Sequence, residues 1–236
     1  MTNNLVVIKG IEKDVGVRII VQDMSFTIKK GETIVIIGPN GSGKTTTLEM
    51  ILGIQKPTRG EIAYWKKDFQ TAVGVQLQST PFFPGLTAKE NLQLFACFYK
   101  KKLPEEEIDS LLKTCSMHEA RNTDVAKLSG GQLKRLSIAT ALVHHPTLVF
   151  LDEPTAALDP LSRKEIHQTI LDLKKQGKTV VLTSHDMDEA AKLSDRILFF
   201  HSGSLIADGS KEELFSQYLS HDLEELYMSL TKGESI

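Results

Sequence analysis

Residues 33–52 leave few folds open. Thr33–Ile37 is a short apolar run, Gly38-Pro39-Asn40-Gly41-Ser42-Gly43-Lys44-Thr45 follows at once, and a helical pattern runs from inside that loop to about Leu52. The loop fits G-x-x-x-x-G-K-[ST] in the strand-then-helix setting that this pattern requires. Its glycines let successive backbone N–H groups turn inward around phosphate oxygens. The helix start behind them adds positive potential. Lys44 supplies a point charge for terminal phosphates, and the Thr45 hydroxyl a ligand for Mg²⁺.

Other β-branched runs recur at Leu5–Ile8, Arg18–Val21, Val73–Leu77, Thr147–Leu151, Thr179–Thr183 and Arg196–Phe200. Several are apolar on both faces, as buried parallel strands are. Helical patterns separate them. One follows Pro160, with Leu161, Ile166, Ile170, Leu171 and Leu173 as its stripe, and stops near Gly177. Asp186 and Glu189 read as a capping box before Ala190–Leu193. Alternating strands and helices predict a parallel sheet covered by helices.

Residues 81–145 break that rhythm. Thr87-Ala88-Lys89-Glu90 is a capping box opening a helix through Phe98, and Pro104-Glu105-Glu106-Glu107 opens another with proline and acids in its first turn. Ser129 is an N-cap candidate for a third. With no strand pattern among them, they predict a helical subdomain inserted into the α/β core. The core is then 1–80 and 146–215, the insert 81–145, and 216–236 a helical, charged tail whose last residues, 233–236, fray.

Composition narrows the partners. The net charge of −2 gives no bulk attraction to nucleic acid. The two cysteines, Cys97 and Cys115, make no disulfide framework and read as reduced cytosolic thiols. Met1-Thr2-Asn3-Asn4 lacks the basic start and apolar core of a secretion signal. Apolar runs such as Ile34–Ile37 and Ile197–Phe200 fall far short of the ~20 residues of a membrane helix, so any membrane role comes through a partner.

The remaining chemistry is ordered along the chain. Gln78 leaves the Val73–Leu77 strand, with Gln76 on the same face. Leu128-Ser129-Gly130-Gly131-Gln132 starts a helix, and the serine hydroxyl and glycine amides form an anion site of the same physical kind as the phosphate loop. Lacking a lysine, it binds weakly alone. Asp152 and Glu153 end an apolar strand, placed to hold Mg²⁺ and to polarise water. Asp159 follows in Pro154-Thr155-Ala156-Ala157-Leu158-Asp159, and His185 follows the strand Thr179–Thr183.

This ordered set resembles the ATP-binding cassette (ABC) ATPases over about Leu5 to Leu214. The resemblance implies a P-loop NTPase (RecA-like) α/β core with a parallel sheet, an antiparallel β edge and an inserted helical subdomain. It implies that Asn40, Gly41, Ser42, Gly43, Lys44, Thr45 and Thr46 hold ATP. Thr45, Gln78 and Asp152 hold Mg²⁺. Glu153 acts on the attacking water and His185 contacts the γ-phosphate. Ser129, Gly130, Gly131 and Gln132 cap the nucleotide of a second copy, and Asp159 lies in the loop that crosses to it. The family pattern more often has serine and glycine where this chain has Ala156 and Ala157. The aromatic residue that stacks on adenine falls here near Val15, and the first aromatic in the chain is Phe26. Weak discrimination between ATP and GTP follows.

The resemblance also implies a separate transmembrane permease on the inner face of the membrane. Phe82, Phe83, Phe95, Phe98 and Tyr99 then either pack the small subdomain or receive the permease's coupling helix. The phrases Gly38–Thr47 and Ser184–Ala190 are closest to cassettes serving exporters of drugs, peptides or polysaccharides. The cargo, and whether the second ATPase subunit is a copy or a paralogue, stay open. So do two rivals, a non-transport ABC ATPase and a nucleotide-gated module without turnover.

Overall fold

A computed structural model describes residues 3–78 and 80–232. The last residues of the tail, 233–236, lie outside the described residues, as do Met1, Thr2 and Ser79. The chain divides into two compact units, one of residues 1–67 and 181–236, the other of residues 68–180.

In the first unit, β1 (Asn4–Val15) and β2 (Arg18–Lys29) form a long antiparallel hairpin, and β4 (Arg59–Tyr64) lies antiparallel on the other side of β1. β1 outruns the apolar stretch Leu5–Ile8 because its second half keeps pairing with β2 through the buried Ile11, and only its last side chains, Asp14 and Val15, are exposed to solvent. β4 escaped the sequence pattern. Its one large aliphatic is Ile62, and its close approach to β1 depends on Gly60, where a Cβ would stand 2.2 Å from the Gly10 carbonyl oxygen. A second group of strands contains β3 (Thr33–Ile37), parallel to β8 (Arg196–His201), with β9 (Ser204–Gly209) antiparallel beyond it. All of β3 is buried, as the apolar run requires. Each such aliphatic side chain is worth about 1.5–3 kcal/mol. The Thr33 amide donates to Asp195 and the Asp195 amide to the Thr33 carbonyl, which fixes where β3 begins.

The helices of this unit are α1 (Lys44–Ile51), α6 (Met187–Leu193), α7 (Lys211–Tyr218) and α8 (Leu223–Lys232). Before α6, Asp186 accepts from the Glu189 amide, but the expected capping box is incomplete. The Glu189 carboxylate is buried and accepts from the Ser184 hydroxyl instead. The tail is anchored, since Leu223 and Leu226 of α8 are buried and the Tyr227 hydroxyl sits 3.0 Å from His201 Nδ1.

In the second unit, β5 (Val73–Gln76) pairs in parallel with β6 (Leu148–Leu151). β5 ends one residue before the expected Leu77, so Gln78 lies in the exit segment and not at the strand end. The helices are α2 (Ala88–Phe98), α3 (Glu105–Thr114), α4 (Gly130–Leu142) and α5 (Pro160–Lys175), and Thr87 closes the capping box of α2 as expected. β7 (Thr179–Ser184) runs across the boundary between the units.

The residues expected to form an inserted subdomain, 81–145, all fall in the second unit beside β5, β6 and α5. Helix α4 is buried over most of its surface, and it carries Arg135 inward to meet Glu165 of α5. Both cysteines are free, and burial pushes the Cys115 thiol up to about 12.

Replacing Glu165 by alanine strands the Arg135 guanidinium in an apolar setting. A loss of about 2 kcal/mol is expected, the full cost of a bare buried charge being reduced by the partial exposure of Glu165. Urea unfolding followed by circular dichroism measures it, and an unchanged midpoint would contradict the role of this pair.

Candidate functional site

The first unit carries the phosphate loop. Gly38 is packed so closely that a Cβ there would stand 2.5 Å from the Phe200 carbonyl oxygen. Gly43 has φ 95°, in the left-handed region, and a Cβ there would stand 2.9 Å from the Ile20 carbonyl oxygen. A side chain at Gly43 is thus excluded twice, by backbone strain and by β2. Gly43 is also the N-cap of α1, and no side chain caps that helix. Its first N–H groups and its dipole therefore favour an anion.

Lys44 is buried and folds back over the loop, donating to the carbonyls of Gly38 at 2.7 Å and Pro39 at 3.1 Å. Its charge is held at the loop rather than out in solvent. The Ser42 hydroxyl is buried and has no hydrogen-bond partner among the described residues. A buried, unmet hydroxyl donor is what a phosphate oxygen satisfies. Asn40, Gly41 and Thr45 are exposed, and Thr46 is partly exposed. Thr47 is buried, with its hydroxyl 3.5 Å from the Met24 sulfur.

Val15 is the last residue of β1, paired with Arg18, and not a loop residue. It is 61% exposed, Ile19 is 57% exposed, and Val17 between them is fully exposed. The Ile20 carbonyl and the Val21 methyl abut Gly43, so the hairpin that ends in these aliphatics runs beside the phosphate loop. Sequence reasoning singled out Val15 alone. His185, exposed, leaves β7 in a turn held by Ser184, whose hydroxyl accepts from the Asp186 amide at 3.0 Å.

The second unit carries the acids and the glycine-rich helix start. Asp152 is buried at the end of β6, its amide donating to the Gln76 carbonyl at 2.9 Å. Glu153 has φ 46°, a left-handed conformation that costs a non-glycine residue about 1–2 kcal/mol. Ala157 is left-handed too, φ 60°, at the position where the family pattern has glycine.

Gln76 is fully buried, and its amide nitrogen donates to the Leu77 and Asp152 carbonyls. Gln78 is exposed, and its carbonyl accepts from Lys134 Nζ at 3.0 Å. Burial lowers the Lys134 ammonium's pKa, while the charges of Asp152 and Glu153 pull it back up. The structure therefore groups Gln78, Asp152 and Glu153 electrostatically around a lysine that sequence reasoning missed. No local motif marks Lys134. Its one sequence signal is helical spacing, four residues on from Gly130.

Ser129 is the N-cap of α4 in a complete capping box. Its hydroxyl accepts from the Gln132 amide at 3.2 Å, and the Gln132 side-chain oxygen accepts from the Ser129 amide at 2.9 Å. Gln132 is thus committed in part to holding the helix start. Gly131 is buried against α5, where a Cβ would stand 2.3 Å from the Ser162 hydroxyl oxygen and 2.7 Å from its Cβ. Gly130 faces open space, with nothing within 4 Å of such a Cβ. Asp159 caps α5, accepting from the Leu161 and Ser162 amides, and the hydrogen bonds from Ser162 lead in holding its carboxyl below the usual range.

Among the described residues no group of three or more His, Cys, Asp and Glu could hold a metal ion. Hydroxyl, amide and single carboxylate oxygens remain, the hard donors that suit Mg²⁺ shared with phosphate.

Residues 21–156 match the family model described as ABC transporter. The chain is 35% identical to a Nod factor export ATP-binding protein I of Bradyrhizobium diazoefficiens, over 96% of this chain and 77% of that protein. It is 37% identical to the protein of that name from Rhizobium johnstonii, over 92% and 73%. Among solved structures, an ATP-binding subunit of an ABC transporter superposes with TM-score 0.83 at 26% identity, covering 96% of this chain and 99% of that one. A dimeric ATP-binding cassette, MJ0796, in a post-hydrolysis state bound to ADP and Pi gives TM-score 0.76 at 31% identity, covering 87% and 98%.

The two signature glycines should separate under substitution. Gly131→Ala is expected to lose about 1–3 kcal/mol through overpacking against Ser162. Gly130→Ala should keep wild-type stability or gain up to about 1 kcal/mol from helix propensity. Thermal unfolding of both checks this, and equal losses would contradict the packing seen here.

Proposed function

This chain belongs to the ABC transporter family, and we propose from the placement of its residues how it performs that family's work. It is an ATP-binding and ATP-hydrolysing subunit of a transporter, of the exporting kind its curated relatives are named for. One observation carries the mechanism. Two helix starts, those of α1 and α4, are suited to anions, and only at α1 does a lysine ammonium fold back onto the loop itself.

The loop at α1 can hold a nucleotide by itself. The start of α4, with the Ser129 hydroxyl and the open face of Gly130, has too little charge to do so. It suits the closing of a γ-phosphate already held elsewhere. A head-to-tail pair gives every nucleotide one loop and one signature. Bound ATP then stabilises the pair, and hydrolysis releases it.

Within that arrangement Lys44 binds the terminal phosphates, and the amides from Asn40 to Thr46 cradle them. Thr45, Asp152 and Gln78 offer the oxygens for Mg²⁺, which when bound neutralises charge on the phosphate oxygens. Glu153 orients the attacking water, His185 contacts the γ-phosphate, and Asp159 sits in the loop that meets the second copy. The aliphatic tip of Val15, Val17 and Ile19 lies against the base in place of an aromatic ring.

No helix among the described residues is long and apolar enough to cross a membrane. The crossing falls to a permease, and the aromatic ladder offers it a surface. Phe95 packs edge-to-face with Phe82, Phe83 and Phe98, and Phe98 is 64% exposed.

Glu153→Gln is expected to cut ATP turnover by about 10²–10⁴-fold while leaving ATP bound. Light scattering with ATP and Mg²⁺ should then show a dimer, and turnover at the wild-type rate would overturn the role. For the base, kcat/KM for ATP and GTP should agree within about tenfold, since the aliphatic side chains of Val15, Val17 and Ile19 make no hydrogen bond to a base edge and a ring stack is missing. Val15→Tyr should tighten ATP binding by about 5–100-fold through the same stack. A strong preference for ATP in the wild-type enzyme would contradict this reading.

A further inference from the structure

Helix α4 presents Gly130, Lys134 and Ser137 along one face, at the i, i+4 and i+7 spacing of neighbouring turns. Opposite that face lie Gln78, Thr80 and Phe82, and a cavity of about 220 Å³ opens between the two. A polar bond crosses it, from the Lys134 ammonium to the Gln78 backbone carbonyl at 3.0 Å. The ammonium is also within electrostatic reach of Asp152 and Glu153.

The segment before Gln78 is tied to the same acids. The Asp152 amide donates to the Gln76 carbonyl, and the Gln76 side chain donates to the Asp152 carbonyl at 3.4 Å. Residues 76–78 are therefore held at one end by the strand that carries the acids. At the other end they are held by a lysine one helical turn from Gly130. A hydrogen bond from a charged donor is stronger than a neutral one, so this tether is stiff for a single contact.

We propose that Lys134 is a positioning residue for ATP hydrolysis, its ammonium tying the Gln78 segment to the signature helix so that Gln78 and Gly130 move as one body. The idea rests on the ATPase reading above. Without the tether, Gln78 is released from the signature helix, and its side chain is no longer presented at a fixed place. Loss of placement costs rate more than binding. The Lys134→Met variant keeps an unbranched apolar stem and removes the charge. Arginine keeps the charge and the reach.

The test compares wild type, Lys134→Met and Lys134→Arg as purified full-length proteins. Hydrogen exchange of the peptide spanning 76–83 is followed by mass spectrometry without nucleotide, and kcat and KM for ATP are measured with Mg²⁺. In Lys134→Met that peptide should exchange about five- to tenfold faster, with peptides of α5 unchanged. Its kcat should fall about three- to tenfold with KM within about twofold. Lys134→Arg should restore both. Unchanged exchange at 76–83 in the methionine variant, equal acceleration in α5, or failure of arginine to restore the wild-type values would each overturn the proposal. A wild-type protein without ATP turnover would instead defeat the reading of the preceding section and leave the exchange comparison standing.

Discussion

A lysine ammonium folded onto the carbonyls of its own loop, with a buried, unpartnered hydroxyl beside it, is the arrangement on which the proposed chemistry of this chain depends. Such a loop holds its shape only if its surroundings are rigid. β3 is buried on both faces for that reason, and its first residue is pinned by reciprocal bonds with Asp195. Gly38 and Gly43 are pressed so closely by neighbouring backbone that no other residue fits. A backbone fixed in advance has little to rearrange when phosphate arrives, and that is the condition under which amide dipoles bind and stabilise charge most effectively.

The second anion site shows the same economy with one part left out. At the start of α4, Ser129 and Gln132 cap each other, so the helix start is held without a ligand. The glycines divide the labour. Gly131 is required by α5, and Gly130 has no steric reason for its identity within the chain. An open glycine at a helix N-terminus is best explained by something that approaches from outside. The left-handed Glu153 makes a parallel case, because a backbone cost is borne at the residue proposed to orient the attacking water.

How much was legible in the sequence depended on whether the signal was local. The phosphate loop, the capping box at Thr87 and the Ser129 cap were readable because each is a short stretch whose side chains bond to its own backbone. β4 and β9 were not, since strands at the edge of a sheet need little apolar patterning, and Gly60 hides its reason until Gly10 is seen opposite. Glu189 looked like half of a capping box, but a buried hydroxyl partner at Ser184 won its carboxylate. Val15 belonged to a strand because pairing with Arg18 continued past the apolar residues, and its exposed neighbours Val17 and Ile19 carried no motif to flag them. Lys134 was out of reach for the plainest reason. Its partners, Gln78, Asp152 and Glu153, are distant in sequence and meet it only through tertiary packing.

The central claim is that a working site needs the loop of one subunit and the signature of another. Mixing two inactive variants tests it most directly. Lys44→Ala lacks the loop charge and keeps its signature, while Ser129→Arg keeps the loop and blocks its signature. In a head-to-tail pair of the two, one of the two sites is intact. Half of randomly formed dimers are mixed, so the mixture should recover about a quarter of wild-type ATP turnover. A mixture as inactive as either variant alone would mean that each chain completes its own site, and would contradict the account.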